Sequence, residues 1–525
     1  METKRTAIAM ALSVAILVIW QFFFAPPPPE KTVAPTQPQA AQSASVATPA
    51  QAVAPVVAAP VPQAKEEARA TLRNDLVTVN LSGRGAAVTG ASLAKYADAA
   101  GSSGKPHQLL DGEADAAGLA LLPLLAPGAD ILYNLVESTE KRAVFAYQSA
   151  SGLVIEKAYS LSDGGYDLAL DVTLKNNGQN QLGDTLVFST VGDYTKKDLS
   201  GYIFTGPTYL AADSLEEIKP SSAEGAAVSA SPVSWAGLTD QYFMAAIAPA
   251  GSEFSRIKVS KVNNSENVVS VDVESAQFSL APSQSKTFAG RLYLGPKDKK
   301  IMAPLGLGFE RSIDYGWFNS IGKLLMYVLA LIFSVVGNYG VAIILLTLAV
   351  KLIFWPLSAK SYQSMIKMRE LQPKMEKLKE RYGSDPKRFQ SEMMQLYSTH
   401  KVNPMSGCLP ILVQIPVFFA LYKVLLYAIE LRHAPFAFWL TDLSAPDPYF
   451  VTPVLMGISM FVQQYMTPAT AGNETQRKMM MYGMPVLFTW LFKSSPSGLV
   501  IYWLMSNVFS IAQQALQMRA AQKPA

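Results

Sequence analysis

Cysteine is nearly absent from this chain of 525 residues: Cys408 stands alone, which excludes an internal disulfide framework. Histidine is almost as scarce. His107, His400 and His433 lie too far apart for zinc-ligand spacing, so neither a metal site nor a cofactor is expected, and no catalytic residue is assigned. Charged residues make up only 16% of the chain against 50% hydrophobic ones. The formal net charge of +4 is too small to argue for direct recognition of nucleic acid. A mean hydropathy of +0.18 is that of a membrane protein diluted by a soluble part.

The soluble part is legible in the first three hundred residues. Lys4 and Arg5 precede an apolar run that closes on Phe22, Phe23, Phe24 and four prolines instead of a small-residue cleavage site. This predicts a retained anchor span over residues 1–24 with its N-terminus in the cytoplasm. Residues 25–70 are mostly Pro, Ala, Gln, Val, Ser and Thr, a composition that cannot bury enough apolar surface to fold, so they form an extended linker. Over residues 71–300 the period becomes two: Leu168, Leu170, Val172 and Leu174 alternate with Asp167, Ala169, Asp171 and Thr173. Turn clusters such as Ser162-Asp163-Gly164-Gly165 and Asn176-Asn177-Gly178 separate the runs. The expectation is a large antiparallel β sandwich outside the membrane. Its aromatics Tyr202, Phe204, Trp235 and Tyr242 serve as packing or, in a sharper reading, as a ligand surface.

The second half is built from long hydrophobic runs. Residues 301–337 combine Trp317, Phe318, Ile321, Leu324 and Leu325 with Asn319 and Lys323, as an amphipathic helix along the interface does; a continuous tilted span is the alternative. Residues 338–357 form a second span in which Thr347 and Lys351 are four apart and share a face. A lysine at mid-span costs roughly 2.5 to 3.5 kcal/mol on insertion scales, so it either faces a wet cavity or snorkels to the interface, here about 9 Å away at 1.5 Å per residue. Residues 358–408 carry a dense set of lysines and arginines and read as a cytoplasmic helical hairpin, with Asp385 capping a second helix that starts at Pro386. Met365, Met368, Met375, Met393 and Met394 form a stripe that either holds the hairpin together or offers an adaptable contact surface. Four further spans fit into residues 409–518, followed by a short cytoplasmic tail, 519–525. The total is six spans with both termini inside.

Carboxylates are missing from the later spans, where Gln414, Gln463, Gln464, Thr489, Ser506, Asn507, Gln513 and Gln514 recur instead. One such residue is usually interhelical glue; several beside Lys351 suggest a water-accessible cavity whose cation awaits an anion from outside. An ion-coupled transporter would need coupling carboxylates or broken repeated helices, and an intramembrane serine protease a histidine within a span. A membrane-anchored periplasmic binding protein is a further alternative.

Three segments carry a resemblance: NPMSGCLPILVQIPVFFALYKVL from Asn403, KLIFWPLSAKSYQSMIKMRELQPKMEKLKERYG from Lys351, and PSGLVIYWLMSN from Pro496. They closely resemble the YidC/Oxa/Alb membrane insertases, from about Trp317 onward, and the preceding span and β domain resemble the Gram-negative form of that family. The resemblance implies a polytopic α-helical membrane protein of the bacterial inner membrane, with a five-helix insertase core and a periplasmic all-β domain of the supersandwich type. It implies a hydrophilic groove that receives nascent membrane proteins, alone or with Sec translocon components, and with ribosome or signal recognition particle contacts. Lys351 falls where the family usually has arginine. Thr347 falls on a family groove position, and Tyr502 and Trp503 on a pair that is often Tyr-Tyr; Gln414 and Asn507, from the polar residues of the later spans, complete the expected groove.

Overall fold

In the computed structural model, the described residues are 64 and 66–521, apart from 99–103, 112–115, 122–130, 196–202, 224–226, 230–231, 252, 263–264, 266, 401, 403–408 and 468–477. The anchor span, nearly all of the linker, Tyr202, Arg477, Cys408 and the end of the tail lie outside them.

The alternating segments form two nine-stranded antiparallel sheets. One runs from an edge at Arg69–Arg73 through Val187–Asp193 and Val268–Ser275 to Ala227–Ser229. The other runs from Ser214–Glu217 through Phe243–Pro249, Ser285–Pro296 and Asp167–Asn176 to Asn134–Ser138. The period-two residues meet in register across its centre: Leu168 lies opposite Leu292 and Val172 opposite Phe288, all buried. Because successive side chains leave a strand on opposite faces, this register commits one whole face to the core. The Asn176-Asn177-Gly178 turn is held by Asn176, whose amide donates to Asn180 O at 2.8 Å and Leu280 O at 3.0 Å. A Cβ at Gly178 would stand 2.4 Å from Ser151 O, so only glycine fits. Trp235 is fully buried and donates its indole N–H to Gly308 O at 3.0 Å, and Phe204 and Tyr242 are half-buried. Trp235 is therefore core rather than ligand surface.

The helical part comprises α1 (Asn319–Val336), α2 (Tyr339–Ile353), α3 (Trp355–Tyr382), α4 (Pro386–Thr399), α5 (Leu409–Tyr427), α6 (Val451–Met466), α7 (Met484–Phe492) and α8 (Ser497–Ala521). A π-helical turn, Met479–Gly483, leads into α7. Among the described residues, Gly316–Val336 and Ser497–Arg519 are long and apolar enough to cross a membrane, by length and composition. Helices α2 and α3 pass that test together but bend by 65° at Phe354, where Pro356 enters α3 and α2 has run for only 15 residues. Helix α1 ends on Gly337 in a left-handed conformation, and Asn338 caps α2 by accepting from Val341 N. Outward-facing Leu324, Tyr327, Leu331 and Val335 give α1 an apolar face that meets hydrocarbon whether the helix lies in the interface or crosses.

The hairpin encloses its own small core of Leu371, Met375, Tyr397 and Val402, against which Met368, Met393 and Leu396 pack. Three of the five stripe methionines therefore face the partner helix. Met365 is half-buried and only Met394 is exposed, so the stripe does not form a continuous contact surface.

The β domain and the helical part meet at the end of α5 and the segment after it. Gln241 donates to Leu426 O at 2.6 Å, Phe204 N to the Tyr427 hydroxyl at 3.1 Å, and Arg432 to Ala97 O at 2.5 Å. Ile429 is buried in the β core and Leu431, two residues on, in the helical core.

Candidate functional site: a polar cavity between the helices

A polar stripe on a helix surrounded by hydrocarbon has to face other protein or water. On α8, Tyr502, Ser506 and Ser510 recur every four residues and so form one line along the helix, with Trp503 and Asn507 on the flanking line. Both lines open on a cavity of about 280 Å³. Helix α2 contributes Lys351 to it, α5 contributes Gln414, Ile415 and Phe418, and α6 contributes Gln463.

The Lys351 ammonium is turned into this space and held there by neutral acceptors. It donates to Ser510 Oγ at 2.8 Å and to Gln414 Oε1 at 3.2 Å. Gln414 in turn donates through Nε2 to Ser506 Oγ at 3.2 Å, and the Ser510 hydroxyl donates to Ser506 O at 2.8 Å. The chain of bonds fixes the amide orientation of Gln414, because the oxygen must face the lysine. Among the described residues two acceptors reach the three ammonium hydrogens, and no lining residue is acidic. The positive charge is thus positioned without being neutralised. The snorkelling alternative does not describe this geometry, since the side chain is held toward α5 and α8. The lining also lacks the carboxylate that ion coupling would require.

Tyr502 is almost fully buried, stacks on Phe418 at 6.2 Å between ring centres, and brings its hydroxyl beside Gln414 without closing a hydrogen bond. An unsatisfied buried hydroxyl costs about 1–3 kcal/mol, which a bound water or a passing polar group recovers. Trp503 packs edge-on against Phe418 at 4.9 Å and against Phe492 at 4.9 Å, and so walls the cavity rather than offering an acceptor to it. Asn507 donates to Ser459 Oγ at 2.9 Å and so fastens α8 to α6.

Five of the six groove residues expected from the sequence are brought together here. Thr347 is not among the lining residues: it is buried, and its hydroxyl donates to Ile343 O of its own helix at 2.6 Å. The shared face with Lys351 was correct helical geometry, but a threonine can satisfy itself one turn back. Ser510 was missed, although its spacing of four from Ser506 carried the signal.

Comparison with known proteins agrees with this architecture. Residues 331–524 match the family model described as 60Kd inner membrane protein, and residues 69–328 match the YidC periplasmic domain. A membrane protein insertase YidC of Geotalea daltonii is 40% identical, with 98% of each chain covered. The corresponding protein of Geobacter metallireducens is 39% identical, over 98% of this chain and 97% of that one. A solved structure of an active YidC insertase aligns with a TM-score of 0.38 and 18% identity, over 84% of this chain and 91% of that chain. By its full-length relatives at about two-fifths identity, the chain belongs to the YidC family of membrane protein insertases, inner-membrane proteins with a periplasmic β domain.

Proposed function

We propose that the cavity at Lys351 is the groove through which this insertase moves the polar flank of a nascent membrane protein partway across the bilayer. The observation that carries the reading is a positioned ammonium in a buried polar cavity with no acidic residue in its lining. A hydrophobic segment delivered to the cytoplasmic face places its short acidic or polar flank beside Lys351, Gln414 and Tyr502. The wet cavity lowers the cost of holding that flank at membrane depth, and the apolar segment leaves sideways into lipid along α5 and α7, driven by burial. Lysine suits transit. An ammonium and a carboxylate about 4 Å apart attract by about 4 kcal/mol at an effective dielectric of ~20 and by about 1 kcal/mol in water, so the substrate is held while the cavity is closed and released as water enters. A bidentate arginine would impose more geometry on the same contact.

The reading includes six spans with cytoplasmic termini, an N-terminal anchor before the β domain, and the basic hairpin as the first contact for nascent chains, with Sec translocon components or the ribosome as partners. It is supported by the concentration of basic residues in and around α3 and α4.

The test is reconstitution of the purified chain into liposomes, translation of a single-span protein with an acidic N-terminal tail, and protease protection. Insertion is expected with the wild type and with Lys351→Arg, and is expected to fall at least tenfold with Lys351→Ala and Lys351→Glu. A neutral-tailed substrate is expected to be far less sensitive. Undiminished insertion of the acidic tail by Lys351→Glu would sink the electrostatic step.

A further inference from the structure

A second concavity lies on the other side of α6, between that helix and α7, and has a volume of about 710 Å³. Its walls are apolar: Val454 and Ile458 of α6 face Val486 and Trp490 of α7, and all four are exposed. Its floor is closed where Gly457 meets Thr489, since a Cβ on Gly457 would stand 2.1 Å from Thr489 Oγ1. At one end stands Lys493, the only charged lining residue among the described residues, exposed and with its ammonium 5.4 Å from the centre of the Trp490 ring. That end is the periplasmic one. Just beyond Lys493 the chain turns, Ser497 N and Gly498 N donate to Ala445 O and Leu443 O at 2.8 and 2.9 Å, and the segment holding those carbonyls is tied by Arg432 to the β domain.

We propose that this groove is a site for an anionic phospholipid of the outer leaflet, with one acyl chain lying between α6 and α7 and the phosphate on Lys493. The charge selects the occupant. A chain moving from bilayer to groove exchanges one hydrocarbon environment for another, so the apolar walls provide shape, while the ammonium and the indole at headgroup depth provide preference. A docked protein helix is disfavoured by the same walls. Membrane helices associate through small residues or through hydrogen bonds across the interface. The one glycine of the described lining is already covered by Thr489, whose hydroxyl is turned back to Pro485 O at 2.8 Å.

The experiment uses the full chain in phosphatidylcholine vesicles with increasing fractions of brominated-chain lipid. The signal of Trp490 is taken as the difference in tryptophan fluorescence between the wild type and Trp490→Phe. Half-quenching is expected at an about fivefold lower fraction of brominated phosphatidylglycerol than of brominated phosphatidylcholine, the preference that one lysine near a membrane surface confers. Lys493→Gln is expected to abolish that preference and Lys493→Arg to keep it. Equal quenching by the two lipids in the wild type would reduce the groove to ordinary boundary lipid and overturn the proposal. Protection of Trp490 from both lipids would also overturn it, by assigning the groove to a protein segment.

Discussion

Half-buried Lys351 and fully buried Lys157 meet opposite environments. Lys351 has oxygen acceptors from two helices and a cavity around it, whereas Lys157 in the strand Leu153–Leu161 is 1% exposed, donates to Gly85 O at 2.5 Å and otherwise faces the Tyr133 ring at 4.8 Å. Burial pushes the Lys157 amine down to about 7 from an ordinary value of 10.5. Between those values the unfolded chain binds a proton that the folded chain does not, so the contribution of Lys157 to the stability of the β domain is expected to rise with pH across the window and to be flat below it. Lys157→Met is expected to remove this slope. At neutral pH it also stabilises the domain, by about 1–3 kcal/mol, less than the ~1.4 kcal/mol per pKa unit would give because Gly85 O loses its donor. Denaturant titration of the full chain in detergent at several pH values reads both effects, and an unchanged pH slope in Lys157→Met would mean that another group titrates.

At the scale of elements, the hairpin α3–α4 shows which local signals suffice. Asp385 accepts from Lys387 N at 3.1 Å and Arg388 N at 3.2 Å, with Pro386 in the first turn, as the residue order alone indicated. The methionines were harder to place. Their spacing fixes a face on each helix but not what that face meets, and here the two faces meet each other: Tyr397 donates its hydroxyl to Met375 Sδ at 3.4 Å. Met375→Ala is therefore expected to weaken the hairpin by about 2–3 kcal/mol and Met394→Ala by less than about 0.5 kcal/mol. Amide hydrogen exchange along α4 separates the two; equal protection in both variants would show that the hairpin core does not hold the helices together. Deletion of the exposed Met394 thioether tests instead for a contact with nascent chains, since it leaves the fold in place.

At the scale of the whole molecule, the β domain is bonded to the end of α5 and to the segment after it, not to the cavity residues. Removing residues 71–295 is accordingly expected to preserve insertion of the single-span substrate while lowering the melting temperature in detergent, because Leu426 O, the Tyr427 hydroxyl and Arg432 lose partners and Ile429 loses its apolar surroundings. Abolished insertion by a folded deletion variant would place the β domain within the mechanism. The amino-acid order by itself determined what depends on near neighbours: the period of two at Leu168 to Leu174, the cap at Asp385, the break at Gly337-Asn338, and the supply of glutamine, serine and asparagine in spans without carboxylates. Only tertiary structure decided how each helix is rotated about its axis and which stripe it faces. That rotation turns Lys351 to Ser510 and Gln414, leaves Thr347 bonded to its own backbone, and closes Met368, Met375 and Met393 inside the hairpin while Met394 stays exposed. The physical reason is that backbone periodicity is set by residues within a turn, whereas the direction a face points is set by contacts between residues more than a hundred positions apart, as Lys351 and Ser510 are.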